Sequence, residues 1–98
     1  MTITKELNGT ALTIALDGRL DTVTAPELTA ELNQSLKGAE SLTMDFSKLE
    51  YISSAGLRVL LSAHRGMSAK GGMKVTNASE LVREVFEVTG FSDILTIE

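Results

Sequence analysis

Ile3 to Leu7 and Leu12 to Leu16 alternate apolar with polar residues, the period of a half-buried strand, and Asn8-Gly9 lies between them. This arrangement predicts an antiparallel hairpin with Asn8 and Gly9 at positive φ, its second strand ending at Asp17-Gly18. The period then changes. Arg19 to Val23 reads as a connector, and Leu28, Leu32 and Leu36 recur every four residues, predicting a helix that Gly38 stops. Thr24-Ala25-Pro26-Glu27 has the form of a capping box, with Thr24 as the cap and Glu27 reaching back to it. Proline fits a first helical turn because its missing N–H has no intrahelical partner there.

Leu42 to Phe46 predicts a short strand and Ser47 to Tyr51 a polar loop. From Ala55 to about Ala69 the residues Leu57, Leu60, Leu61, His64 and Met67 share one helical face, widened by Val59 and Ala63. Arg58, Ser62 and Arg65 point the other way. Lys70-Gly71-Gly72 is a turn and Met73 to Thr76 a strand. A third helix, capped by Asn77 or Ser79, carries Leu81, Val82, Val85 and Phe86, with Gly90 in the left-handed position after it. Ile94 to Ile97 is a candidate last strand. The order β-β-α-β-α-β-α-(β) predicts one α/β domain over residues 1–98. An N-terminal hairpin joins a mixed four- or five-stranded sheet packed with three helices.

Composition narrows the function classes. The 98 residues are 43% hydrophobic and 22% charged, an ordinary globular balance. A net charge of −4 and 4% aromatics leave little for phosphate contacts or base stacking, so no nucleic-acid partner is expected. No apolar run approaches the ~20 residues of a membrane span, and Met1 to Glu6 lack the order of a signal peptide. With no cysteine, the expected location is cytoplasmic, away from the membrane.

Candidate chemistry centres on Ser53 and Ser54, where a loop meets a helix. A serine there can accept a bond from a free amide of the first turn. The same amides and the positive end of the helix dipole also suit a phosphate. Catalysis by either serine would need an adjacent base, and the only histidine, His64, falls on the apolar face of its helix. Ser-Ser-Ala-Gly lacks the leading glycine of a nucleophile elbow. Asp17, Asp21, Asp45 and Glu50 have no metal-ligand spacing; Asp17 reads as a turn residue and Asp45 as a strand-end residue. No enzyme activity and no cofactor are expected.

Three stretches together resemble the STAS domain, and more narrowly the bacterial anti-sigma factor antagonists. They are Leu16-Asp17-Gly18-Arg19-Leu20-Asp21, Thr24-Ala25-Pro26-Glu27-Leu28, and Asp45 through Ser53-Ser54-Ala55-Gly56-Leu57. In that family an anti-sigma factor that is also a serine kinase phosphorylates a serine at the start of the second helix. The unphosphorylated antagonist binds that partner and frees the sigma factor, and a PP2C-type serine phosphatase restores the binding form. Carried over by position, the phosphoserine falls on Ser54, with Ser53 as the alternative, and the acidic residue near it is Asp21. Many family members have aspartate before the phosphorylated serine and a second serine after it; here those places hold Ser53 and Ala55. The resemblance implies a partner-binding face of Asp21, Thr22, Ser53, Ser54, Ala55, Gly56, Leu57 and Arg58. The plainer reading makes Ser54 a helix cap and Asp21 a turn residue, in a constitutive STAS adaptor or a structural subunit of a larger assembly, such as a transporter-associated one.

Overall fold

The computed structural model describes residues 1–98. Five strands form one sheet in the order β1-β2-β3-β4-β5: β1 Thr2–Asn8, β2 Ala11–Leu20, β3 Ser41–Ile52, β4 Met73–Thr76 and β5 Thr96–Ile97. β1 runs antiparallel to β2, and every other pairing is parallel. Three helices lie between the strands in sequence: α1 Ala25–Ser35, α2 Ser54–Met67 and α3 Glu80–Thr89. Leu12, Ile14 and Leu16 of β2, Leu42, Met44 and Phe46 of β3, and Met73 and Val75 of β4 are buried, while the residues between them are exposed or half-buried. One face of the sheet therefore carries the core and the other faces water. Leu28 and Leu32 of α1, Leu57, Leu60 and Met67 of α2, and Val82 and Phe86 of α3 complete a single cluster of 23 buried residues. Phe46 and Phe86, with ring centroids 6.4 Å apart, tie β3 to α3.

The hairpin forms where the alternation and Asn8-Gly9 place it, but by a different turn. Asn8 still pairs with Ala11 as the last residue of β1, and Gly9 alone takes a positive φ, 64°. One positive φ, at the first position of a two-residue loop, is what a type II′ turn requires.

The largest departure from the sequence reading is the length of β2 and β3. β2 does not stop at Asp17-Gly18, and Ser47 to Tyr51 is strand rather than loop. Between Ala15 and Asp17 the partner register moves from Asp45 to Lys48, and between Gly18 and Arg19 it moves from Leu49 to Tyr51. β3 thus carries one extra residue at each of two bulges, and each bulge shifts its inward-facing set by one. The buried positions run 42, 44, 46 and then 49 and 52, so the two-residue period is lost although the strand continues. Asp17 and Asp45 accordingly lie within strands. Asp45 accepts bonds from the Ser47 amide (3.0 Å) and Asn77 Nδ2 (3.1 Å). Asn77 is the only non-glycine residue at positive φ, 59°, a conformation asparagine tolerates well.

The helix ends follow from local chemistry. Ser79, not Asn77, caps α3 by accepting from the Val82 amide at 3.2 Å, and Gly90 takes the left-handed position after it. Of the apolar residues expected to pack from α3, Leu81 is instead exposed. The Thr24 capping box is not formed: Thr24 has helical dihedrals and no capping bond to α1. Its hydroxyl is engaged elsewhere.

Candidate functional site

Parallel pairing brings the two stretches of interest together at the carboxyl ends of neighbouring strands. Leu20 at the end of β2 pairs with Ile52 at the end of β3, and the Ser53 amide donates to the Leu20 carbonyl at 2.9 Å. The turn after β2 and the start of α2 therefore adjoin, in the place where open α/β sheets carry their functional loops.

The turn after β2 is built around Asp21. Its Oδ1 accepts from the amides of Val23 (3.0 Å) and Thr24 (3.1 Å), and its carbonyl accepts from the Ala25 amide (2.8 Å). Thr24 Oγ1 accepts from the Asp21 amide at 2.9 Å and donates to the Arg19 carbonyl at 2.8 Å. Asp21 thus holds the amides of the turn itself, as its carboxylate reaches forward over it, while the Glu27 amide that a Thr24 side-chain cap would take goes to the Thr24 carbonyl at 3.0 Å. The Thr24 amide is the main cause that holds the Asp21 carboxyl below its ordinary value of 3.8, helped by the Val23 amide, the Thr24 hydroxyl and the Arg19 charge against an opposing desolvation. A depressed folded-state pKa contributes stability that is present above the unfolded value and lost as pH falls through the folded one. Asp21→Asn is expected to remove that contribution. Its stability deficit against wild type, read from urea midpoints, should be present near neutrality and shrink as pH falls below about 4.

Arg19 and Tyr51 add a feature that the linear sequence did not signal. They pair across β2 and β3, the Arg19 guanidinium lies 4.3 Å from the centre of the Tyr51 ring, and Arg19 Nε stands 3.8 Å from Asp21 Oδ2. Val23, at the tip of the turn, is 81% exposed. The hydrogen-bonded turn thus presents an exposed apolar residue, and Arg19 before it is held on a ring.

The two serines divide their roles. Ser53, extended at φ −100° and ψ 176°, is the cap of α2: its Oγ accepts from the Gly56 amide at 3.4 Å and its carbonyl from the Leu57 amide at 2.9 Å. Ser54 is the first residue of the helix and is exposed, and its hydroxyl has no hydrogen-bond partner within the chain. Ser54 is not the cap that the plainer reading made of it. The long capping bond puts the expected cost of Ser53→Ala at the low end of the usual range, about 0.5–1 kcal/mol, measurable as a shift in denaturant midpoint.

The remaining candidate residues part company. Thr22 and Arg58 are exposed, and Arg58 stands one turn beyond Ser54. Ala55 is half-buried and lines, with Thr22, Ala25, Pro26 and Thr29, an open groove of about 470 Å³ along α1. Gly56 and Leu57 are buried and belong to the core, not to a contact face. A Cβ on Gly56 would meet Leu20 Cγ at 2.7 Å and Ile52 Cγ1 at 3.0 Å, so glycine is there to let α2 approach the strand ends of its own fold. His64 is half-buried ten residues along α2 from Ser54, roughly 15 Å at 1.5 Å per residue, too far to take its proton.

The family model described as "Mlab, STAS domain" matches residues 3–96. The chain belongs to the STAS domain family. A Bordetella bronchiseptica protein, provisionally designated anti-sigma factor antagonist BtrV, is 39% identical over 88 residues, which span 88% of this STAS chain and 76% of BtrV. The crystal structure of an anti-sigma factor antagonist from Mycobacterium paratuberculosis superposes with a TM-score of 0.89 at 23% identity, covering 98% of this chain and 83% of that one. SpoIIAA, an anti-sigma factor antagonist solved in its unphosphorylated form, gives a TM-score of 0.84 at 22% identity over 99% of this chain and 88% of its own. The phosphorylated form of the Bacillus protein gives 0.76 at 21% identity over 99% and 91%. At these identities the solved structures establish the fold, a mixed sheet with helices.

Proposed function

We propose that this STAS domain is an anti-sigma factor antagonist switched by phosphorylation of Ser54. The unphosphorylated form binds an anti-sigma factor that is also a serine kinase, and so releases a sigma factor; phosphate on Ser54 blocks that binding, and a PP2C-type phosphatase removes it. The observation that carries the reading is the exposed, unpartnered Ser54 hydroxyl at the first position of α2, in a chain 39% identical to BtrV. The solution of SpoIIAA in both phosphorylation states supports the use of this fold as a phosphoprotein. Regulatory binding, rather than turnover, is the work of antagonists of this kind.

The physics of the site suits such a switch. A phosphate on Ser54 adds about −1.5 to −2 charge at pH 7. The free amides and dipole of the first turn of α2 stabilise that charge, so the fold need not change. A partner shaped around a neutral hydroxyl meets bulk and charge instead, and each tenfold loss of affinity needs only about 1.4 kcal/mol. Arg58, one turn on, is placed to pair with the phosphate or an acidic group of the partner. Thr22, Asp21 and the Ala55 side of the α1 groove complete the contact face. Asp21 acts there chiefly by holding the turn rigid, because both amides of that turn depend on its carboxylate.

The experiment is phosphosite mapping by mass spectrometry of the protein from its native cells, with and without stress, on wild type, Ser53→Ala and Ser54→Ala. Phosphate that varies with condition, survives Ser53→Ala and disappears in Ser54→Ala is the expected result. Phosphate lost only in Ser53→Ala would move the switch to the capping serine, and a chain never phosphorylated at either would leave a constitutive adaptor.

A further inference from the structure

α3 has two apolar faces, and the fold uses one of them. Val82 and Phe86 point into the core, while Leu81, Val85 and Val88 form a second stripe with spacings of four and three residues. That is the seam spacing by which one helix packs on another. Leu81 is 53% and Val88 81% exposed, and Val85 packs at the edge of the core, so the stripe continues from the interior out to water. A contiguous exposed apolar patch of this kind marks a contact surface, whereas single exposed apolar residues do not.

The charges beside the stripe select its occupant. Stepping 100° per residue places Glu84, Glu80 and Glu87 in a row along one flank. The only cation of the helix, Arg83, is turned back on its own chain: Nε donates to the Ala78 carbonyl at 3.1 Å and Nη2 to the Glu98 carbonyl at 3.3 Å. A second copy of the chain would set this acidic row against its own symmetry mate, and an anionic membrane would be repelled by it. We propose that the outer face of α3 is a docking surface for an amphipathic helix of a partner protein, with apolar anchors in the 4–3 spacing and lysine or arginine along one flank. The proposal stands apart from the Ser54 switch. α3 packs on β3 and on the Phe91–Asp93 turn, whereas Ser54 opens α2, so the surface remains available whatever the state of Ser54.

The test is titration of the ¹⁵N-labelled full chain with a synthetic amphipathic peptide of about 18 residues, five turns, carrying leucine anchors and a lysine flank. A control peptide has glutamate in place of each lysine. Shift changes are expected to centre on Leu81, Glu84, Val85 and Val88, with the lysine peptide binding at least about tenfold more tightly than the glutamate peptide and weakening as salt rises. Val88→Lys, at a position open to water, should keep the wild-type spectrum and lose about tenfold in affinity. Equal binding of the two peptides, or shifts centred elsewhere, would overturn the proposal. So would concentration-dependent dimerisation of the free chain that Val88→Lys abolishes, or binding of the free chain to anionic vesicles.

Discussion

Ser54→Asp is expected to weaken binding to the cognate anti-sigma factor by about tenfold to a hundredfold, roughly 1.4–2.7 kcal/mol, while Ser54→Ala binds within a few-fold of wild type. The reason is local. Ser54 is exposed with no internal hydrogen bond, so removing its hydroxyl takes nothing from the fold, whereas a carboxylate puts charge onto the proposed contact face. Stability should respond in the opposite sense. An acidic side chain in the first turn interacts favourably with the dipole, by about 0.3–1 kcal/mol, so Ser54→Asp should be as stable as wild type or slightly more so. That opposition separates a blocked interface from a damaged protein. Calorimetric titration with the anti-sigma factor encoded in the same genome gives the affinities, and thermal denaturation gives the control. Equal affinity for the alanine and aspartate variants would end the phospho-switch reading.

Gly56→Ala and Gly66→Ala, the same substitution in the same helix, are expected to change stability in opposite directions. A glycine inside a helix normally costs about 0.5–1 kcal/mol against alanine, so replacement should stabilise. At Gly66 a Cβ meets nothing within 4 Å, and that gain is expected in full. At Gly56 it would lie 2.7 Å from Leu20 Cγ and 3.0 Å from Ile52 Cγ1, between two buried side chains at the ends of β2 and β3. Overpacking of this kind costs about 1–3 kcal/mol, enough to outweigh the helical gain. For a domain of this size each kcal/mol moves the melting temperature by roughly 4–8 °C. Because Gly56 seats α2 against the strand ends that carry Asp21 and Ser53, its alanine variant should also weaken partner binding without touching the partner. A Gly56→Ala protein as stable as wild type would mean that α2 shifts to make room, and that the site does not depend on this contact.

The candidate site was partly legible in the chain. Ser53-Ser54 at the start of a helix followed from a polar pair before a 3.6-period apolar face, and the family resemblance singled out Ser54 and Asp21. Their division of labour was not legible. Adjacent serines have the same capping chemistry, and only the extended backbone of Ser53, with its carbonyl and hydroxyl turned toward the first helical amides, decides which one caps. The roles of Asp21 and Thr24 are similar: the Asp21 carboxylate takes the Val23 and Thr24 amides while the Thr24 hydroxyl turns back to the Arg19 carbonyl, a path of the turn that the local sequence does not fix. The family resemblance put Gly56 and Leu57 on the contact face with the serines. In the structure a helix turns each successive residue by 100°, which sends both inward while Ser54 and Arg58 face out.

Periodicity by itself determined the element order, the hairpin, the three helices and most of the core, since burial on one face imposes a period of two or 3.6 directly on the sequence. The bulges were beyond it. Each adds one residue to β3 and reverses the phase of the remaining strand, so a strand that continues from Ser47 to Ile52 reads as a polar loop. The pairing of Arg19 with Tyr51, the approach of the Asp21 turn to Ser53 and the second apolar face of α3 depend on which strand lies beside which, and on how much of each helix the sheet covers. Those are long-range choices. They were decided by the packing of the whole core, which no window of the sequence contains.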